Sequence, residues 1–404
     1  MGPGAGGRRG HGPGRARRGD VERESCPVSD EDALVQDAPD RYGEGRFIDP
    51  SVGVLAGEAS EQTVPANRDR AEGSVAHDVW GEVPSTDGGR RTEPTYYDRP
   101  TLKEPTWIWT VPTYFFAGGA AGAAAVLGAV SQMADRRDLA GLVKRCRWVG
   151  AAGGAAGTAL LIADLGRPSR FLNMLRVFRP SSPMNLGSWV LSSASVLTAG
   201  SALLAETGGL LGVAGDAAGI GAGSLGLPLS GYTAVLLSNT AVPVWQATRR
   251  TLPLLFLASS VASAASLLEL MGLSDRQERI VRRYGVAGKL AELAAAQAVE
   301  READVVERVG RPLHEGLSGA LWRTAKALTG ASLALSVLPG RGRWKARLGG
   351  ALGTAGAITL RFAVFRAGKA SAQDPRATFD QQRAGRGGAE ATGVAAVTGP
   401  GGRR

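Results

Sequence analysis

The apolar part of this chain holds few residues that could do chemistry, and their spacing is informative. Tyr232 and Asn239 are seven positions apart, so on a helix they share one face. A phenol and a carboxamide on one stripe can both donate to a quinone carbonyl, and they serve equally as hydrogen-bonding glue between helices. Ser259, Ser263, Ser266 and Glu269 follow at steps of 4, 3 and 3. Serines alone would be packing residues, but a glutamate continuing the stripe suits a wet or proton-conducting face. Asp164 closes an apolar run, where Arg167 or Arg170 can neutralise it; it reads either as a helix-ending ion pair or as part of a proton path or quinone pocket. Tyr114 stands in an aromatic-rich helix start, as a belt residue or a ligand.

What is missing narrows the chemistry further. The chain has two cysteines, Cys26 and Cys146, and three histidines, His11, His77 and His314. Two distant thiols cannot build a disulfide framework, an iron–sulfur cluster or a structural zinc site. A haem held by paired histidines within a helical bundle is excluded, because only His314 lies near an apolar segment. No phosphate-binding loop, dinucleotide fingerprint, nucleophile elbow or cluster of metal ligands occurs. No metal and no haem are expected in this chain, and no self-sufficient catalytic centre.

The elements that must position these residues are membrane spans. Mean hydropathy is near neutral, yet the average joins two unlike parts. Residues 1–104 are rich in Gly, Arg, acids and Pro, residues 105–367 hold nearly all the long apolar runs, and residues 368–404 are polar again. The two ends are expected to be disordered tails around one transmembrane domain. The short apolar stretch from Ile48 to Leu55 reads as random apolar content or a docking motif. The net charge of +10 is explained by basic residues in short links that orient a membrane protein, rather than by nucleic-acid binding. The first arginines are not followed by the apolar core of a signal peptide, so the first span is expected to direct insertion.

A bilayer crossing takes about 20 apolar residues. Candidate spans run over 107–133, 148–165, 187–204, 227–245, 252–271, 317–338 and 348–365, with Arg361 expected to snorkel near the end of the last. The run 285–299 carries Lys289 and Glu292 and is either a tilted span or a helix lying on the membrane. Residues 207–226, with eight glycines, read as a loop or weak interfacial segment. The expected fold is an all-α integral membrane protein of about eight transmembrane helices, between seven and nine. Glycines at 118 and 122, 150 and 154, and 153 and 157 have the spacing that lets membrane helices pack backbone to backbone. Five Lys and Arg lie between the first two spans and four in the second link, favouring an external amino terminus.

The second link concentrates Asp164, Arg167, Arg170, Arg176 and Arg179 with several prolines. A hydrophobic hairpin needs only a polar turn, so this charge suggests a surface built to meet a partner.

The order of several sequence patches resembles the NrfD or polysulfide-reductase membrane-subunit family. These are Trp107-x-Trp109-Thr110, Leu165-Gly166-Arg167-Pro168-x-Arg170-Phe171, and Arg179-Pro180-x-Ser182-Pro183-Met184-x-x-Gly187-Ser188-Trp189. Gly231-Tyr232-Thr233, Pro243-x-Trp245 and Leu252-Pro253-Leu254-Leu255-Phe256 follow in the same order. The resemblance covers about residues 105–375, and the Gly/Arg-rich composition is similar to actinobacterial members.

The resemblance implies a haem-free, eight-helix subunit in the cytoplasmic (inner) membrane. It would exchange electrons between menaquinone and a four-cluster ferredoxin-like iron–sulfur subunit, which in turn serves a molybdopterin catalytic subunit, in actinobacterial members often formate-dehydrogenase-like. It carries a quinone-pocket tyrosine onto Tyr232. The family's amide and histidine in the first span correspond to Val111 and Tyr114, a departure that leaves Tyr114 as the substitute donor. On this reading Tyr114, Tyr232 and Asn239 bind quinone, Asp164 and Glu269 relay protons, and Arg167, Arg170, Arg176 and Arg179 dock the partner. Two rival classes are a proton- or ion-conducting transporter and a passive membrane anchor.

Overall fold

The computed structural model describes residues 100–385 except 166, 168 and 339–341, together with the backbone of two short strands. Those strands, β1 (Ile48–Asp49) and β2 (Val54–Leu55), pair antiparallel with Ile48 opposite Leu55. They fall where a docking motif was one reading, and most of the expected amino-terminal tail, like residues 386–404, lies outside the described residues.

The remaining elements are helices: α1 (Thr110–Ala134), α2 (Ala140–Asp164), α3 (Ser169–Met174), α4 (Pro183–Leu204), α5 (Gly209–Ser238) and α6 (Pro243–Ala247). There follow α7 (Leu252–Leu270), α8 (Asp275–Ala303), α9 (Glu307–His314), α10 (Gly316–Val337), α11 (Arg343–Gln373) and α12 (Pro375–Arg383). Eight are long. Six of those, α1, α2, α4, α5, α7 and α11, are long and apolar enough to cross a membrane. The polarity is inverted relative to a water-soluble protein, with Leu210, Val196, Leu203 and Val213 exposed while Lys289, Glu292 and Arg361 are buried. The fold is that of an all-α, multi-pass membrane protein.

The long helices pack as two groups. Helices α1, α2, α4 and α5 form a first bundle, and α7, α8, α10 and α11 a second, joined mainly where α7 lies against α1 and α5. Glycines set the spacing in the first. A methyl group on Gly226 would overlap the carbonyl of Gly122, and one on Gly153 would lie 2.9 Å from the Ala117 carbonyl. Close backbone approach of this kind replaces the hydrophobic drive that lipid does not supply.

Three expectations are corrected here. The Gly-rich stretch 207–226 is not a loop, because α5 is helical from Gly209 onward. Its glycines 212, 215, 219, 223 and 226 recur every three or four residues and let it press on α1 and α4; added methyls at 215 and 223 would overlap Ala205 and Ala129. The intrinsic cost of glycine in a helix, about 1 kcal/mol each, is offset by contacts that no larger residue would permit. The fourth span therefore begins earlier than expected and ends at Ser238, and Pro243 opens the separate short helix α6. Arg361 does not snorkel: it stands well inside the 31-residue α11 and is buried.

The domain also reaches past the boundary expected at 367. Helix α11 continues to Gln373 and α12 packs behind it, with Ala377 buried and Asp374 paired to Arg308 at 2.8 Å. Glu104 is tied to Lys369 at 3.0 Å and to Gln373 at 2.7 Å, fastening the approach to α1 onto the same corner.

Candidate functional site

Three of the residues singled out for chemistry, Tyr114, Asp164 and Tyr232, lie at one end of the first bundle, where α1 begins, α2 ends, α4 begins and α5 ends. Helix α1 starts at Thr110, whose hydroxyl donates to Asp164 Oδ1 across the helix pair at 2.9 Å. Asp164 is half-buried at the end of α2, where Thr110 supplies it a neutral partner. One turn along α1, Tyr114 is buried with its ring against Phe115 and against Gly157 of α2, and its hydroxyl has no hydrogen-bond partner among the described residues. Val111, which precedes it by one turn on the same side, is buried and apolar.

Tyr232 reaches this end from α5. Its ring lies on Gly187 in the first turns of α4, where a methyl group would overlap it. Both tyrosines pack into one apolar cluster with Val111, Leu191 and Leu229. The indole nitrogen of Trp189, two residues beyond Gly187, is a second buried donor with no partner among the described residues. Buried donors without acceptors are costly, on the order of 1–3 kcal/mol each, so this end is polar in a way that packing alone does not explain.

Asn239 is not part of that group. It caps α5, is exposed, and donates its carboxamide to Val235 O at 2.8 Å. The seven-residue spacing to Tyr232 assumed a helix through both, and α5 stops one residue before Asn239.

The connector from α2 to α4 covers the same end. Asn185 organises it: its Oδ1 accepts from Arg179 N at 2.7 Å, and its amide nitrogen donates to Met174 O and Val177 O at 2.7 and 3.0 Å. Ser182 caps α4 with Pro183 in its first turn. So held, the connector presents Arg167, Arg176 and Arg179 outward, with Arg170 half-buried, beside the exposed side chains of Leu172, Val177, Phe178 and Met184. Cations are thus interleaved with exposed large apolar residues along this connector.

Glu269 lies elsewhere, in the second bundle. The stripe of Ser259, Ser263, Ser266 and Glu269 is buried along its whole length. Glu269 Oε2 sits 3.5 Å from Lys289 Nζ of α8. The proton-relay pair proposed from sequence is thus split, Asp164 at one end of the first bundle and Glu269 near the opposite end of the second.

Sequence reasoning missed Lys289, Glu292 and Arg361 as buried partners, along with a polar junction at the far end of the first bundle. There Asp216 of α5 pairs with Arg136 and with Arg147 (2.8 Å), while Gln132 bonds both Arg147 and the Asp216 backbone. The signal for Asp216 was present as a lone acid in an apolar, Gly-rich segment. No group of three His, Cys, Asp or Glu placed to hold a metal occurs among the described residues.

Fold and site together define a multi-pass helical membrane protein whose polar end lies under a cationic connector. A family model described as Polysulphide reductase, NrfD matches residues 101–336, which takes in α1 to α10, and the chain belongs to that family. Its members are membrane subunits of quinone-interacting oxidoreductase complexes, working in general with iron–sulfur and molybdoenzyme subunits. Among curated proteins, none matches the chain.

Proposed function

We propose that this chain is a haem-free subunit of the cytoplasmic membrane that exchanges electrons between menaquinone and a partner iron–sulfur subunit of the four-cluster ferredoxin type. Through that partner it would serve a molybdopterin enzyme, with a formate-dehydrogenase-like enzyme the leading candidate. The observation that carries the reading is the buried Tyr114 hydroxyl, without an acceptor among the described residues, at the same end of the bundle as Tyr232 and beneath the arginine connector.

Bound there, a quinone supplies a two-electron, two-proton acceptor or donor. The chain's own residues do the rest. Tyr114 and Tyr232 would hold the quinone by donating hydrogen bonds to its oxygens. The Trp189 indole offers a third donor. Asp164, held by Thr110, is the nearest carboxylate of the group to exchange a proton with the surface. Arg176 and Arg179, with the apolar side chains between them, bind the partner and so shorten the distance electrons must cover.

Replacement of Tyr232 by Phe in the assembled complex tests this. Loss of one hydrogen bond made chiefly in the transition state should lower quinone-linked turnover by roughly tenfold, about 1.4 kcal/mol, with partner binding intact. A passive anchor predicts unchanged turnover. Extraction of menaquinone from the purified complex checks the cofactor.

A further inference from the structure

The second bundle buries more ionisable groups than its packing needs. Glu269 stands one residue before the end of α7, and Glu278, in the half-exposed first turns of α8, is close enough for the two carboxylates to repel. Deeper in, Lys289 is fully buried, its Nζ 3.5 Å from Glu269 Oε2 and 3.1 Å from Ser336 Oγ. One turn further along α8, Glu292 is buried and accepts from Thr329 Oγ1 at 2.8 Å. Arg361 of α11 completes the file, coupled electrostatically to Glu292.

Each buried ion costs several kcal/mol of lost hydration, and well-packed apolar residues commonly hold helices together as well or better. Four charges kept in one file call for more than packing. Several polar atoms of the file also find no hydrogen-bond partner among the described residues: Glu292 Oε2, Arg361 Nε and Nη1, and the hydroxyl of Ser266. Helix α11 gives them room by presenting glycines, since a methyl on Gly353 would overlap Ser266 Oγ. The other groups facing the file are neutral or engaged. From α10 these are Thr329, Ser332 and Ser336, while the α10 cation Lys326 is held by Glu300.

The file also touches the first bundle. Arg361 Nη2 donates to Phe256 O at 3.1 Å and lies 3.2 Å from Ser260 Oγ. Ser260 in turn donates to Ser230 O of α5 at 3.0 Å, two residues before Tyr232. A polar seam thus runs between the bundles at the level where the file ends.

We infer that Glu269, Lys289 and Glu292 form a buried proton-exchange site, loaded from the end of the molecule opposite the tyrosines and bounded at its inner end by Arg361. In one step a proton leaves the Lys289 ammonium for the Glu292 carboxylate, giving a neutral amine and an acid. Glu269, ionised in the resting pair, then takes a proton from the surface beside Glu278 and hands it to the amine, which restores the Lys289 ammonium and the Glu269 carboxylate. The net change is one proton taken from the surface and held on Glu292, and no electrons move. Arg361 keeps its charge and holds Glu292 in reach. In its coupling to turnover the inference rests on the quinone reading: chemistry at the tyrosine end drawing protons from the other end would charge the membrane.

The test uses the chain with its partner subunits in liposomes, following quinone-linked electron transfer and proton movement together. The ratio of protons to electrons does not depend on how much enzyme is active. In Glu292→Gln it should fall by about half or more while the complex stays assembled. An unchanged ratio overturns the inference, as does a wild-type complex that turns over with menaquinone without moving protons between the compartments. A wild-type complex that fails to use menaquinone at all refutes the quinone reading instead. A second measurement needs neither turnover nor a folded variant: infrared spectra of the wild-type chain in H2O and D2O across pH. A carboxylic C=O band that shifts with deuterium and titrates supports an exchangeable buried acid, and its absence sinks the site.

Discussion

The two bundles are similar in helix number and antiparallel course but are held together differently. In the first, α1, α2, α4 and α5 approach through Gly122, Gly150, Gly153, Gly154, Gly157 and Gly226, with the buried ion pairs confined to the Asp216 junction at one end. In the second, glycines 285, 288, 350 and 353 again bring helices close, but the interior also holds the buried side chains of Glu269, Lys289, Glu292 and Arg361. The contrast teaches that small-residue packing is sufficient to build such a bundle in lipid, so charges in its neighbour are retained for another reason. It also separates two kinds of polar group: buried donors with no partner among the described residues at one end of the first bundle, and ionisable groups along the interior of the second.

The largest effect is expected where a buried charge is stranded. Lys289→Met leaves Glu269 without its cation and should cost about 3–5 kcal/mol, most of it recovered when Glu269→Leu is added. Unfolding of both variants in mild detergent measures this, and an additive pair of losses would mean the two groups are not coupled.

Next comes the glycine seam of the first bundle. Gly226→Ala places a methyl against the Gly122 carbonyl and should destabilise by roughly 1–3 kcal/mol, since backbone rather than a mobile side chain is the obstacle. By contrast Gly200→Ala, where a methyl meets open space, should be neutral or slightly stabilising through helix propensity. Equal melting of the two variants would break the claim that backbone approach holds this bundle.

Tyr114→Phe divides stability from function. Removing a buried hydroxyl with no partner among the described residues should leave unfolding unchanged within about 1 kcal/mol, yet lower quinone-linked turnover. A loss of stability with turnover preserved would return Tyr114 to the role of a packing residue.

The smallest effect belongs to the exposed links. Arg276 pairs with Asp135 and Asp138 between the two bundles, and all three are substantially exposed. Arg276→Ala should cost under about 1 kcal/mol and nothing measurable in high salt.

Much of this was legible because it is written in local spacing. The apolar runs gave the long helices, and of the glycines picked out by spacing Gly122, Gly150, Gly153 and Gly154 lie at tight seams. What misled was also local. Glycine propensity argued against a helix over 209–226, because propensity does not register the neighbour that glycine admits. Lys289 and Glu292 argued against a buried α8, because their partners Glu269 and Thr329 stand 20 and 37 positions away. Asn239 was put on the Tyr232 face by a periodicity that α5 abandons at Ser238.

By itself, then, the sequence determined a helical membrane protein without paired histidines in its apolar runs, with a charged connector after its second span and a tyrosine in the Gly231-Tyr232-Thr233 context. Tertiary structure decided that Tyr114 and Tyr232 share one end, that Asp164 answers to Thr110, and that four distant charges line one bundle. The physical reason is range. Period and composition report what a helix buries, whereas a donor's acceptor or an ion's counter-ion depends on which helix faces it, and only the packed molecule sets that.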